Sequence, residues 1–296
     1  MGLASILAGY VVARRGVGPV EAMTRTALRI RSTSTYERLS TTGLPVELAA
    51  LAESFNEMVD RFEESFTRLS RFASEIAHEL RTPVNNLRGE AEVALGKARS
   101  TAEYREVLSS CLEECERLSA AIDSLLFLAR MERPDVELSR TPVELAGELA
   151  AVRDYYEAAA EDAGVTLEAA ADGRIALGVD RNLFQRAVGN LVANAIAYTP
   201  KGGRVTLKAT DEGESVRVRV SDTGRGIAPK DLGHIFERFY RGDQAKADRP
   251  GGSGLGLAIV KTIMSLHGGA VEVSSQVGRG TQIDLTFPKA EVRSHS

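Results

Sequence analysis

The sequence predicts a multidomain protein: an all-α helical hairpin that pairs as a dimer into a four-helix bundle, followed by an α/β sandwich. Three observations carry that expectation. The 296 residues leave room for about two compact domains. Up to Arg133, apolar side chains recur every three or four positions and tryptophan is absent, which favours long helices. From about Val136, short alternating or β-branched runs separated by turn residues alternate with helical stretches, the pattern of helices packed on a sheet. The formal charge of −4 gives no reason to expect a nucleic-acid surface.

The N-terminal stretch "MGLASILAGYVV" is apolar and then meets Arg14 and Arg15. A full membrane span needs about 20 apolar residues. A signal peptide carries its charges before the apolar run, whereas arginines after it match the cytoplasmic end of a transmembrane helix. Residues 1–13 are therefore expected to be the end of a span whose beginning precedes this chain, in a bacterial inner membrane with the rest of the chain in the cytoplasm; a buried or interfacial helix is the alternative. In residues 14–66, Pro19 suits a helix's first turn, "VEAMTRTALRI" is amphipathic, and "RSTSTYERLSTTGLP" is a polar connector. A second helix begins near Glu47, where Leu48, Leu51, Phe55, Met58 and Phe62 step like a coiled-coil seam. Two amphipathic helices joined this way resemble a HAMP linker.

Residues 67–133 continue the helical pattern. Leu69, Ala73, Ile76 and Leu80 are followed by Val84, Leu87, Ala91 and Ala94, with one irregular step at Pro83, where a helix loses a hydrogen bond and bends. After "GKARST", Leu108, Cys111, Cys115, Leu118, Ile122, Leu125 and Ala129 form an unbroken seam. Cysteines four apart share a helix face and invite a metal reading, but within such a seam they read as packing residues. Each seam is too wide for one partner, so two hairpins are expected to form a homodimeric bundle.

Residues 136–290 carry the strand-like runs "VTLEAAA", "RIALGVD", "GRVTLKAT", "SVRVRVSD", "AVEVSSQ" and "TQIDLTF". Helices are expected over Val143–Asp162, Arg181–Tyr198 and Gly256–His267, packed on one mixed sheet; residues 291–296 are a tail. Three stretches at strand–helix junctions bear chemistry. In "DTGRGI", Asp222 is placed to accept a hydrogen bond from an exocyclic amine, and Gly224 and Gly226 let backbone approach a ring. In "RPGGSGLGLAIV", glycines lead into an apolar helix whose N-terminus suits phosphates, without a Walker or Rossmann spacing. In "NLVANAIAYTP", Asn190 and Asn194 share one face; amide oxygens suit Mg²⁺, and a hydrogen-bonded pair holding a loop is the plainer alternative.

Together with the segment "FERFYR" and "GRGTQIDLTF", these stretches resemble the ATP-binding domain of sensor histidine kinases, within the wider gyrase, chaperone and mismatch-repair ATPase superfamily. The resemblance implies ATP and Mg²⁺ as cofactors. By position, Asn194 would ligate Mg²⁺ and Asn190 would support the phosphate side. Asp222 would bind the adenine amine with Thr281 beside it, and Tyr198 would lie against the nucleotide. Gly252, Gly254 and Gly256 would hinge a lid, Arg241 would reach the γ-phosphate, and Phe236 and Phe239 would anchor the lid on the core. Relatives often carry Lys or Arg where this chain has Ala197, which puts one phosphate contact in doubt.

The run "HELRTP" at residues 78–83 completes the resemblance, since the family's reactive histidine lies in it. The geometry agrees independently: Ile76 and Leu80 are seam positions, so His78, two residues from each, points about 160–200° away from the bundle core at about 100° per residue. Glu79 is placed to orient or deprotonate the imidazole, and Thr82 is one turn on along the same face. His234, His267 and His295 read as helix surface, a helix end interacting with the dipole, and a frayed tail. The expectation is a kinase that phosphorylates itself on His78. By resemblance it then passes the group to the receiver domain of a response regulator, with Thr82 serving a reverse, phosphatase reaction. An ATPase of the same superfamily or an ATP-binding scaffold are the rivals. The resemblance is strongest to kinases that respond to metal ions.

Overall fold

The computed structural model describes residues 38–42, 44, 46–133, 135–242 and 252–289. The expected membrane span, the first linker helix, part of the lid and the tail lie outside these residues. The chain divides into two units at the junction of His78 and Glu79.

On the N-terminal side of that junction, the extended segment at Arg38–Ser40 is tied to the long helix α1 (Val46–Leu95) by sequence-local chemistry. The Asn56 amide both donates to and accepts from the Leu39 backbone, at 3.0 and 2.9 Å, so one side chain satisfies both peptide groups. Leu39, Ala52 and Val59 are buried. Arg38 pairs with Asp60 and Glu63, and its hydrogen bond to Glu63, then the charge of Asp60, hold its guanidinium pKa above the ordinary value. The helix runs without interruption through Pro83, so the linker helix and the histidine helix are one element of 50 residues.

On the other side, a turn at residues 96–100 reverses the chain into α2 (Thr101–Met131). Ser100 caps it in a complete capping box: its hydroxyl accepts from the Glu103 N–H while the Glu103 carboxylate accepts from the Ser100 N–H. Glu90 reaches across the hairpin to Ser110 at 3.0 Å and to the Cys111 thiol at 3.5 Å. Burial, and then the Glu90 carboxylate, push that thiol's pKa up, which suits a packing cysteine. Cys115 is exposed in the single chain, and no metal-binding cluster of His, Cys, Asp or Glu occurs among the described residues.

The α/β part differs from expectation in one respect: it has two sheets. The five-stranded sheet has the order β2 (Thr166–Ala171), β4 (Arg204–Asp211), β5 (Ser215–Asp222), β7 (Gly280–Pro288), β6 (Ala270–Gln276), with only the β2–β4 pair parallel. A separate antiparallel pair joins β1 (Arg140–Glu144) to β3 (Ala176–Asp180). Strand β1 includes Val143, which the periodicity assigned to a helix. The helix α3 (Leu145–Ala163) starts two residues later, capped by the Glu144 carboxylate on the N–H groups of Ala146 and Gly147. Pro142 hides the strand in the sequence, because proline fits only an edge strand such as this one.

Alternation along β4, β5 and β7 sends Val205, Leu207, Val216, Val218, Leu285 and Phe287 to one buried face. Helices α3, α4 (Arg181–Tyr198) and α5 (Gly256–Leu266) cover it. On the opposite face Arg219 holds the Asp284 carboxylate through two bonds of 2.7 and 3.0 Å. Burial alone would raise the Asp284 pKa; Arg219 and Arg217 outweigh it and hold the carboxyl below the usual range.

His267 is a correction to the sequence reading. It is 2% exposed, so it is a core residue and not a charge at a helix end. Its Nδ1 bonds the Ile263 carbonyl at 2.9 Å and its Nε2 accepts from the Asp180 N–H at 3.1 Å. Burial lowers its pKa, so it ties α5 to the β3–α4 junction as a neutral imidazole.

Candidate functional site

A cavity of about 310 Å³ opens where α4, the loop after β5, the start of α5 and β7 meet. Helix α4 buries Ala187, Val188, Leu191, Val192 and Ala195 against the sheet, which turns the adjacent flank, with Asn190 and Asn194, to the cavity. The Asn190 amide nitrogen donates to the Arg186 carbonyl at 3.0 Å, which fixes its oxygen. That oxygen and the Asn194 amide face Gly256: a Cβ there would lie 3.4 and 3.6 Å from them. The N-terminus of α5 is thus set against the two amides.

At the other end, Asp222 ends β5. Its Oδ1 accepts from the Gly224 N–H at 2.8 Å and the Thr281 N–H at 3.1 Å. Among the described residues both bonds fall on that oxygen, so Oδ2 is the acceptor left for a ligand's donor. Burial pushes the Asp222 pKa up, and the two N–H groups pull it back in part. Thr281 lines the cavity and its hydroxyl meets Ser275 Oγ at 3.0 Å. Gly226, at φ 73°, lines the wall, and a Cβ there would come within 2.1 Å of the Gln276 carbonyl, so only glycine fits. Gly224 is set behind the wall, packed on the Tyr198 carbonyl.

Tyr198, Arg241, Gly252 and Gly254 also line the cavity. The Arg241 guanidinium lies 3.8 Å from where a Gly252 Cβ would be. Gly254, at φ 67°, is clamped by Phe239, whose N–H donates to the Gly254 carbonyl at 3.1 Å. Phe239 itself has φ 60°, the one described non-glycine residue with positive φ, a strained backbone beside Gly254. Phe236 does not join it: it lines a second cavity with Met131 of α2 and Thr262 of α5.

Among the lining residues with no part in the expected site, three stand out. Ser124 comes from α2, Arg225 from the glycine loop, and Tyr240, whose hydroxyl donates to Asp231 at 2.7 Å, from the "FERFYR" segment. Only Arg225 carried a signal in the sequence, a cation between two glycines. Ser124 reaches the cavity because the end of α2 packs on this domain. There the Arg186 guanidinium sits 3.8 Å over the Phe127 ring, and Glu132 pairs with Arg238.

On α1, His78 and Thr82 are exposed, while Ile76 and Leu80 are half-buried. Glu79 occupies the helical position between them.

The sequence matches three family descriptions in order: the HAMP domain over residues 11–64, the His Kinase A (phospho-acceptor) domain over 68–134, and the histidine kinase-, DNA gyrase B- and HSP90-like ATPase over 179–291. The chain belongs to the sensor histidine kinases. Among curated relatives, the chain is 39% identical over 279 residues to the sensor protein IrlS of Burkholderia pseudomallei, covering 94% of this chain and 60% of that protein. It is 39% identical over 287 residues to the sensor histidine kinase CusS of Escherichia coli, covering 96% and 59%. The chain thus spans about 60% of the length of these relatives. Among solved structures, full-length ShkA in complex with AMPPNP matches with 29% identity and a TM-score of 0.56, over 75% of this chain and 46% of that one. The match to the family's ATPase domain places ATP binding in the α/β part of the chain.

Proposed function

We propose that ATP bound in the α4–β5–α5 cavity donates its γ-phosphoryl group to His78, and that an aspartate on a response regulator then receives it. One observation carries this most: Asn190, Asn194, Asp222 and Arg241 line a single cavity in a chain of this family. The Asp222 carboxylate accepts from the adenine amine, with Tyr198 against the base, and the glycines at 252, 254 and 256 with Arg241 meet the phosphates. The donor set fits Mg²⁺ held mainly by phosphate oxygens and water, because one or two protein oxygens suffice. Asn194 would be the protein ligand, and Asn190 would support the phosphate side. Bound there, the ion would neutralise charge on the β- and γ-phosphates.

An imidazole nitrogen of His78 forms a bond to the γ-phosphorus while the bond to the β–γ bridging oxygen breaks, releasing ADP. Glu79 takes or orients the proton of the other ring nitrogen. Catalysis is mainly positioning, since the chain supplies the nucleophile on one helix and the donor in another domain. Thr82 is assigned to hold a water that attacks the regulator's phosphoaspartate.

Two further parts of the proposal rest on surfaces and sequence. A homodimer is supported by large apolar side chains left exposed on the single hairpin, among them Leu108 at 67% and Val93 at 62%. Anchoring at the bacterial inner membrane, with the catalytic part in the cytoplasm, is supported by the HAMP match and by the apolar residues 1–13, which lie outside the described residues. Among the described residues no helix is long and apolar enough to cross a membrane.

Incubation with γ-labelled ATP tests the chemistry. Acid-labile, alkali-stable label that disappears in His78→Ala is expected. Label persisting in that variant overturns the assignment, and phosphate release without label makes the protein an ATPase.

A further inference from the structure

We infer that Arg225 is a further nucleotide-binding residue, whose planar guanidinium, held against the Tyr198 ring, forms part of the wall on which the nucleobase stacks. This rests on the reading of the cavity as the nucleotide site.

The cavity has to accept a flat aromatic base at one end and a polyanion at the other. Among its described lining residues the cations are Arg225 and Arg241. Helix α4 contributes amides, apolar groups and Tyr198, but no cation. Arg241 stands at the lid, beside Gly252. Arg225 belongs to the opposite end, in the same loop as the Asp222 carboxylate and against the wall that Tyr198 makes.

Its backbone is fixed on both sides. The Arg225 N–H donates to the Tyr198 carbonyl at 3.3 Å, and its own carbonyl accepts from the Gly278 N–H at 2.7 Å. The flanking glycines are pressed so closely on neighbouring carbonyls, 2.5 and 2.1 Å from where a Cβ would be, that the loop has little freedom to shift. From that fixed origin the guanidinium carbon reaches 4.5 Å from the Tyr198 ring centroid. A cation over a tyrosine face is attracted by the ring quadrupole, and guanidinium in particular stacks flat on π-surfaces. The side chain is thereby ordered on the cavity wall, where a base gains a planar, positively charged surface at little further entropic cost.

Titration calorimetry on Arg225→Ala, Arg225→Met and Arg225→Lys, each checked for the wild-type melting temperature, tests this with ATP, ADP and AMP in the presence of Mg²⁺. The expected result is weaker binding by about three- to thirty-fold, the range of a partly desolvated cation–π contact. The same factor should apply to all three nucleotides, and lysine should not restore it. Unchanged affinity in the alanine and methionine variants overturns the inference. So does a loss that shrinks from ATP to AMP, or full restoration by lysine, since either assigns Arg225 to the phosphates. Asp222→Asn separates the two levels. If it binds ATP as the wild type does, the nucleotide reading of the cavity fails. If it loses ATP while the Arg225 variants do not, only the Arg225 inference fails.

Discussion

Asp222 and His267 are both titratable groups taken partly or wholly out of water, and burial acts on them in opposite directions. For Asp222 burial favours the neutral acid, so protonation begins at a higher pH than for an ordinary aspartate. Nucleotide affinity, if it needs the carboxylate, should therefore weaken on acidification before exposed carboxylates titrate; a calorimetric pH series measures this. Asp222→Asn should weaken ATP binding by about 10- to 100-fold, the range for a hydrogen bond to a charged group, with the melting temperature kept or slightly raised because a desolvated charge is gone. For His267 burial also favours the neutral form, which lowers a base's pKa. Its folded pKa lies below the unfolded value near 6.5, so its contribution to stability is complete above that value and is lost as pH falls below it. Thermal unfolding between neutral and mildly acidic pH should show this slope, and His267→Gln should flatten it.

The elements are held by local devices whose removal has a defined size. The capping box at the start of α2 joins Ser100 and Glu103 reciprocally. Ser100→Ala should lower stability by about 1 kcal/mol, read by thermal unfolding, without altering nucleotide affinity. The continuity of α1 through Pro83 matters in a different way. A mechanical input arriving along residues 46–66 enters the same helix that carries His78, with no intervening loop to absorb it. Strand β1 and its partner β3 show how a short element forms despite its composition: Pro142 pairs with Gly178 on an edge, where the missing N–H is not needed by another strand.

At the scale of the whole molecule, the described residues of the hairpin leave apolar side chains exposed, whereas the α/β part has a closed core around Phe184, Leu207 and Phe287. The two parts should respond differently to one surface change. Leu108→Lys combined with Ile122→Lys should shift sedimentation equilibrium from dimer to monomer while ATP binding stays within about twofold, because an exposed charge on a bundle seam disfavours association and leaves the cavity untouched. A variant that sediments as the wild type does would overturn the proposed dimer seam.

What the sequence determined by itself is whatever depends on neighbours within a few residues. Helical period orients His78 outward, the spacing of Asn190 and Asn194 sets both on one flank of α4, and glycine-rich junctions mark where backbone approaches closely. Only the tertiary structure decided what depends on residues far apart in the chain. The strand β1 separates from the main sheet because its partner is β3, and His267 is buried because Asp180 and Phe287 close over it. Ser124 enters the cavity because α2 packs on the ATPase domain, and Arg225 lies on Tyr198 because two non-adjacent junctions converge at one end of the sheet. The physical reason is the same in each case: periodicity fixes the direction of a side chain from its own element, but burial and partners are set by which elements are brought against it.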